Sequence, residues 1–351
     1  MSFKRLEADD FVISSDSVAG VVWSTNNPTL TTFFTSSTQV TSTSGKFYID
    51  VYNTASTLSG SAAQFALTYG NNLGSGSTNY NQLVNGASPS STIYGQWQDL
   101  AIGDENTNFI FGAITSSEFF AISLERARYK EKILLGSLTL KISGGLNTIS
   151  LTDNSAYVSS VQFNAAGRVF QLISGSAGVR FTGSATTADG YSLNSGSYGW
   201  LLPDIGTIIL NPLALSAPLA GGGAGLTYSG SATGFATSSI NELPFITLFK
   251  AISGSGAGAA SFKLNSEETI SSNYIFVRPR SSEFNYSENP SFISGSTGEV
   301  LYSQFINSPQ TYITTVGLYN DNNELLAVAK LSRPLPKDFT KEALVRVKLD
   351  F

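Results

Sequence analysis

Asp99, Asp104 and Glu105 form an acidic cluster beside Trp97. Two carboxylates facing each other across a cleft are what hydrolysis of a glycosidic bond needs, one as proton donor and one as base or nucleophile. Three carboxylates in a turn ahead of a strand are more often a solvated loop, and a loop is the expected role. The chain has no histidine and no cysteine. That removes Ser-His-Asp and Cys-His catalysis, imidazole and thiolate metal sites, and any disulfide framework. Gly254-Ser255-Gly256-Ala257-Gly258 approximates part of a dinucleotide fingerprint, but it follows a helical pattern instead of opening one. Gly45-Lys46 lacks the upstream glycine and the following Ser or Thr of a phosphate loop. Asn320-Asp321-Asn322-Asn323 is too short for a helix-flanked calcium loop and suits a hairpin turn. No catalytic residue, cofactor or metal is expected.

The elements that would position any site are strands almost throughout. Lys46–Tyr52 and Gln64–Tyr69 alternate bulky and small residues between Gly and Ser and are expected to pair. Asn108–Ile114, Glu118–Leu124 and Ile133–Ile142 suggest an antiparallel meander. Val161–Phe163, Arg168–Ile173 and Thr207–Leu210 are further short strands. Near the end, Tyr312–Tyr319 and Glu324–Ser332 flank the Asn-rich tetrad as a hairpin. In the closing strand Val345, Val347, Leu349 and Phe351 alternate with Arg346, Lys348 and Asp350, so the apolar set should face inward. Helix signals are few. One lies over Ile240–Ile252, capped by Ser238-Ser239, and a weaker one over Asp338–Ala343. The glycine-rich segment Ala214–Thr237 is expected to be a flexible, exposed loop.

The fold class is therefore all-β: antiparallel, β-sandwich-like domains with Ser/Gly-rich loops and at most one or two short helices. Composition suggests an N-terminal β domain over 1–145 and a Ser/Gly-rich insertion or second small domain over 146–265. A C-terminal β segment over 266–351 would carry the hairpin and pack with the first domain.

Charged residues make up 13% of the 351 residues, about half the usual share of roughly 25%. So few charges leave Ser, Thr, Asn, Gln and Gly to cover the surface, a habit of β-rich extracellular and virion proteins. The net charge of −5 and pI near 4.9 have the wrong sign for a nucleic-acid binder. The opening MSFKRLEADDF puts charges where a signal peptide would be apolar, and no stretch has the length and apolarity of a membrane span. The bases gather in two places, Arg126, Arg128, Lys130, Lys132 and Lys141, then Lys330 through Lys348. Either is a solvated face with acidic partners interleaved or a surface for docking neighbours. In Phe276–Phe292, Pro279 and Pro290 enforce an irregular path. Arg278, Arg280, Phe284, Tyr286 and Phe292 there either fill the core or anchor a partner, since Arg and aromatics are enriched at interface hot spots.

Several phrases resemble a known family. FVRPRSSEFNYSENPSF (276–292), NSPQTYITTVGLYNDNNELLAVAKLSRPLPKDF (307–339) and the closing VRVKLDF are similar to segments of virion structural proteins of contractile-tailed, T4-like bacteriophages. The opening FKRLEADDFVIS, then TIYGQW and ERARYKEKILLGSLTLKIS, are weaker echoes, and the Ser/Gly-rich middle matches nothing comparable. The resemblance implies a non-enzymatic tail protein of the baseplate or fibre-attachment region, made in the host cytoplasm and resident in the virion. Its partners would be other tail proteins and copies of itself in a cyclic assembly, without nucleic acid or membrane. Alternatives are a neck, collar or head-decoration protein, or a module binding host glycans through exposed Trp23, Trp97 and Trp200. Candidate interface residues are Arg126, Arg128, Lys130, Arg278, Arg280, Phe284, Tyr286, Phe292, Arg346 and Lys348.

Overall fold

The computed structural model describes residues 6, 8–20, 30–31, 48–53, 59–74, 76, 89–144, 147–227, 242–253 and 262–350. Strand takes up 46% of the structure and helix 14%, the all-β antiparallel class expected. Two compact units divide the chain: Ala19–Glu268, and Met1–Val18 with Thr269–Phe351.

The larger unit is built on one long antiparallel sheet that curls into a half-barrel. Its strands run in the order Leu30–Thr31, Phe262–Leu264, Thr139–Ser143, Thr148–Asp153, Gly167–Ser176, Gly199–Leu202, Thr207–Leu210, Glu118–Leu124, Ala63–Asn71, Tyr48–Tyr52. Gln162–Asn164 and Val179–Arg180 add to Gly167–Ser176 as side branches. The expected pairing of the strand ending at Tyr52 with Gln64–Tyr69 is present, residues 46 and 47 lying outside the described set. The boundary expected at 145/146 is not. Thr148–Asp153 hydrogen-bonds to Thr139–Ser143, so the Ser/Gly-rich middle belongs to the same sheet as the region before it. Composition changed there because the loops are rich in small residues, not because a new core begins.

The strand Glu-Phe-Phe-Ala-Ile-Ser-Leu at 118–124 is apolar on both faces, which requires cover on both. Phe120, Ile122 and Leu124 join a large cluster on one face, with Phe65, Leu140, Leu151, Leu172 and Ile208. The helix Glu242–Ser253 seals that cluster with Phe245, Leu248, Phe249 and Ile252, the spacing read from the sequence; its proposed cap at 238–239 lies outside the described residues. Phe119 and Ala121 face the other way into a second cluster, with Ile209, Trp200, Phe109 and Phe111. There the cover is a helix the sequence reading missed, Ser90–Ile102, which buries Ile93, Tyr94 and Ala101. Gly95 within it and Pro89 before it obscured the pattern. It stops where Gly103 takes φ of 81°, a left-handed position that suits glycine.

The expected meander does not form. Phe109–Phe111 turns back on Ile114–Ser116 as a small hairpin, while Glu118–Leu124 pairs with Ala63–Asn71 and Thr207–Leu210. Ile133–Ile142 is broken by a turn at Gly136, φ 75°, into Lys132–Ile133 and Thr139–Ser143. Partner choice was set by long-range burial, which local spacing does not encode. The segment Ala214–Thr237 is likewise not an exposed excursion in its described part, 214–227. A one-turn helix, Pro212–Ser216, is capped by Asn211, whose side chain accepts from the Leu213 N–H. Ala214, Leu215, Ala224 and Leu226 are buried. Tyr198 donates its hydroxyl proton to the Gly222 carbonyl at 2.5 Å, and burial pushes its pKa up to about 12. Glycine serves close backbone packing there, not mobility: a Cβ on Gly223 would lie 2.0 Å from the Ala217 oxygen.

Arg168 and Asp204 form a tight ion pair. The guanidinium donates to Asp204 Oδ1 through Nε at 3.1 Å and Nη2 at 2.7 Å, and the Arg168 N–H donates to Oδ2 at 2.9 Å. Burial pushes the Asp204 carboxyl up, but Arg168's hydrogen bonds and charge outweigh it and hold the group below the usual carboxylate range. A carboxyl depressed in the fold stabilises above its unfolded pKa of about 4 and loses that contribution as pH falls through the folded value. Asp204→Asn should therefore cost about 1–2 kcal/mol at pH 7, discounted for partial exposure. Urea denaturation at pH 7 and pH 3 tests this. The gap between wild type and variant should narrow in acid, and an unchanged gap would contradict the assignment.

Candidate functional site

The smaller unit has an unusual energy balance. Its first sheet places Ser266–Val277 between Phe11–Gly20 and Val345–Asp350. The closing strand pairs in register from Val277↔Val345 to Ser272↔Asp350. Val345 and Val347 are buried and Leu349 half-buried, with Arg346 and Lys348 exposed, as the alternation predicts; Phe351 lies outside the described residues. Its second sheet is the hairpin of Gln310–Tyr319 and Leu325–Asp338. The turn is tied by Asn320, whose Oδ1 accepts from the N–H groups of Asn322 and Glu324, and Asn323 sits at φ 61°. Asn, the non-glycine residue best suited to that conformation, stands there. The helix expected over Asp338–Ala343 is absent. Asp338 instead accepts from the N–H and hydroxyl of Thr340, bonds that lower its pKa to about 2.

Among the described residues of this unit the buried hydrophobic side chains are Val277, Ala343, Val345 and Val347. A buried lysine stands where a core would be. Lys337 is fully buried and donates to the Ser281 and Asp338 carbonyls and to Asn285 Oδ1, at 2.8–3.0 Å. The Thr311 hydroxyl bonds the carbonyl of Phe284, itself at φ 53°. Large apolar side chains face solvent instead: Phe11, Val12 and Ile13 on one strand, Tyr312, Leu325, Leu326 and Val328 on the hairpin, the last three 54–67% exposed. The hairpin strand Gln310–Tyr319, about 30 Å long, has an outer edge with no strand partner among the described residues. It carries neither charge nor proline, while Leu325–Asp338 carries Lys330, Arg333, Pro334, Pro336 and Lys337. Lysine and proline are the usual guards against edge pairing. One edge is guarded and the other is open.

The candidate interface residues take varied positions. Arg278 and Arg280 converge on buried Asp10: Arg280 Nε donates to Asp10 Oδ1 at 2.8 Å, Arg278 Nη2 is 3.7 Å away, and the Arg278 N–H donates to the Asp10 carbonyl. They tie the segment around Asp10 to the one that follows the Ser266–Val277 strand within this unit. Phe284 and Phe292 are half-buried and Tyr286 is 53% exposed. Tyr286 meets Phe292 edge-on at 5.8 Å, and Phe292 meets Phe305 at 5.3 Å, a small surface cluster. Arg346 and Lys348 lie beside the Tyr274 ring, and Lys348 pairs with Asp350 at 2.9 Å.

In the larger unit, Lys130 contacts Glu268 at 2.5 Å, Arg126 lies over Tyr129, and Arg128 is half-buried with no hydrogen-bond partner for Nε among the described residues. Lys130 and Arg126 thus have contacts within their own unit.

The three carboxylates of the acidic cluster are all exposed. Asp99 is exposed on the Ser90–Ile102 helix, and Asp104 accepts from the Thr107 hydroxyl and Asn106 N–H, which lower its pKa. Trp200 is buried against Phe109 and Phe111, and Trp97 packs on Phe119, so neither forms an exposed aromatic platform. Trp23 and the Gly254–Gly258 run lie outside the described residues. Among the described residues no cluster of three or more metal-ligating side chains occurs and no helix is long and apolar enough to cross a membrane. Comparison with family models, curated proteins and solved structures gives no match to this chain.

Proposed function

We propose that the protein is a non-enzymatic structural subunit of a contractile-tailed bacteriophage, placed in the baseplate or fibre-attachment region, where copies of it associate with one another and with neighbouring tail proteins. The observation carrying this reading is the long hairpin whose strands expose apolar residues on a unit nearly without a hydrophobic core. A lone two-stranded ribbon is marginal in water. A neighbouring strand added at the open Gln310–Tyr319 edge would supply both the missing backbone partners and the missing burial. Uncharged strands can meet copies of themselves without repulsion, and two copies related by a two-fold axis satisfy both open edges. The resemblance of 276–292 and 307–339 to phage tail proteins covers this same unit.

The test is light scattering of the purified protein beside Leu326→Lys/Val328→Lys. Wild type should form discrete oligomers and the variant should be monomeric. Circular dichroism should show the variant folded, because both side chains are solvent-facing in the isolated chain. Mass spectrometry of separated tails and heads checks the location. A monomeric wild type that is also missing from tails would refute the reading.

A further inference from the structure

The larger unit carries a cleft that the assembly reading does not use. We infer that the cleft between Asn154, Tyr157, Gln171 and Tyr191 binds a neutral saccharide unit. Its volume is about 330 Å³ and its lining includes Ser159, Ser160 and Gln162 and no charged side chain, a size within the range of small-ligand sites.

The hydrogen bonding is one-sided. The Gln171 N–H donates to Asn154 Oδ1 at 3.0 Å, and Gln171 Oε1 accepts from the Ser197 hydroxyl at 2.5 Å and the Gly112 N–H at 3.3 Å. Both carboxamide oxygens are thus consumed by the protein, which fixes the orientation of both amides. Their NH2 groups, Nδ2 of Asn154 and Nε2 of Gln171, have no acceptor among the described residues, and both residues line the cleft. Two fixed donors call for ligand acceptors, and the hydroxyls of Ser159, Ser160 and Tyr191 can give or take a hydrogen bond.

The aromatic part is equally fixed. Tyr157 is 45% exposed, its hydroxyl accepts from the Arg180 N–H at 2.9 Å, and the Arg180 guanidinium lies 4.5 Å from the ring centroid. A ring held from one side is ready to stack a ligand on what remains open. Val158 and Val169 add apolar surface to the lining. A ligand with apolar C–H faces and a girdle of hydroxyls fits this mix. An anion would find no cation among the lining side chains, and a purely apolar ligand would strand the amide donors at a cost of about 1–3 kcal/mol each.

The test is saturation-transfer NMR on the full chain with a panel of glucose, galactose, mannose and N-acetylglucosamine and their short oligomers, with tyrosine fluorescence for affinity. At least one member should bind saturably with Kd below about 10 mM, the weak end for a single sugar unit. Asn154→Asp and Gln171→Glu keep the accepting oxygens and remove the amide donors. Each should weaken binding about tenfold, and Tyr157→Ala should abolish it, while oligomeric state stays as in wild type. Folding is checked by circular dichroism, and Asn154→Asp with Gln171→Glu provides two independent conservative probes should Tyr157→Ala fail to fold. Absence of saturable binding across the panel, binding that persists in both folded variants, or variants that alter oligomerisation and not sugar binding would overturn the inference. The last outcome would mark the cleft as a protein contact.

Discussion

Phe109→Ala should lower the unfolding free energy by about 3–5 kcal/mol, the range for removing a fully buried aromatic side chain. Phe109 has no solvent exposure and stands at the centre of the second cluster, with ring centroids 5.0 Å from Phe119, 5.4 Å from Tyr94 and Trp200, and 6.2 Å from Phe111. Its loss opens a cavity walled by rings that are themselves anchored. Tyr94 donates to the Ser116 carbonyl at 2.6 Å and Trp200 Nε1 to the Ile110 carbonyl at 3.1 Å. Anchored walls cannot close in, which puts the cost toward the high end. Against a total stability of about 5–15 kcal/mol, that is a large fraction of the fold. Phe109→Leu should cost less, about 1–2 kcal/mol, since most of the volume stays. Urea denaturation followed by tryptophan fluorescence measures both, and Trp200 reports from the site itself. A loss below about 1 kcal/mol in the alanine variant would mean that the Phe109–Phe111 hairpin is not docked on the sheet.

The same cluster explains what could be read in the sequence and what could not. Strands whose two faces differ were legible, as in the closing alternation of Val345 and Val347 with Arg346 and Lys348. The helix Glu242–Ser253 was legible because Phe245, Leu248, Phe249 and Ile252 mark one stripe. The helix Ser90–Ile102 was not, because Ser90, Tyr94, Gln98 and Ala101 form its buried face together with Ile93, and Ser and Gln there do not register as apolar. Pairing order was illegible for another reason. Glu118–Leu124 presents apolar residues on both faces, so no register is favoured by its own pattern, and its neighbours come from about 50 residues before and 85 after. The candidate interface divided along similar lines. Arg278 and Arg280 were singled out by type, yet their partner Asp10 lies some 270 residues away, a distance over which charge pairing leaves no local trace. The exposed face of the hairpin was hidden because an apolar alternation looks the same whether the covering surface is the chain's own core or a neighbour's.

Gly199→Ala should be as damaging as any core truncation, with a loss of about 3 kcal/mol or more. Gly199 sits in the middle of the long sheet, opposite Leu172 on one side and Leu210 on the other, with φ at 144°. A Cβ there would lie 1.9 Å from the Ile209 carbonyl oxygen and 2.8 Å from the Leu210 Cα. Both are backbone atoms of a fully buried strand, so relief requires breaking the pairing of Gly199–Leu202 with Thr207–Leu210, and with it the boundary between the two clusters. The control is Gly183→Ala. That glycine has nothing within 4 Å of its Cβ position and no unusual φ, so the change should stay within about 0.5 kcal/mol of wild type. Thermal and urea denaturation of the two variants make the comparison, and equal stability would show that the backbone at Gly199 can move. In sequence Gly196-Ser197-Tyr198-Gly199 looks like any other of the many Gly/Ser runs among 33 glycines. What separates Gly199 from Gly183 is the carbonyl that passes beneath it, and that carbonyl is brought there by a hairpin whose turn, at 203–206, belongs to a later part of the chain.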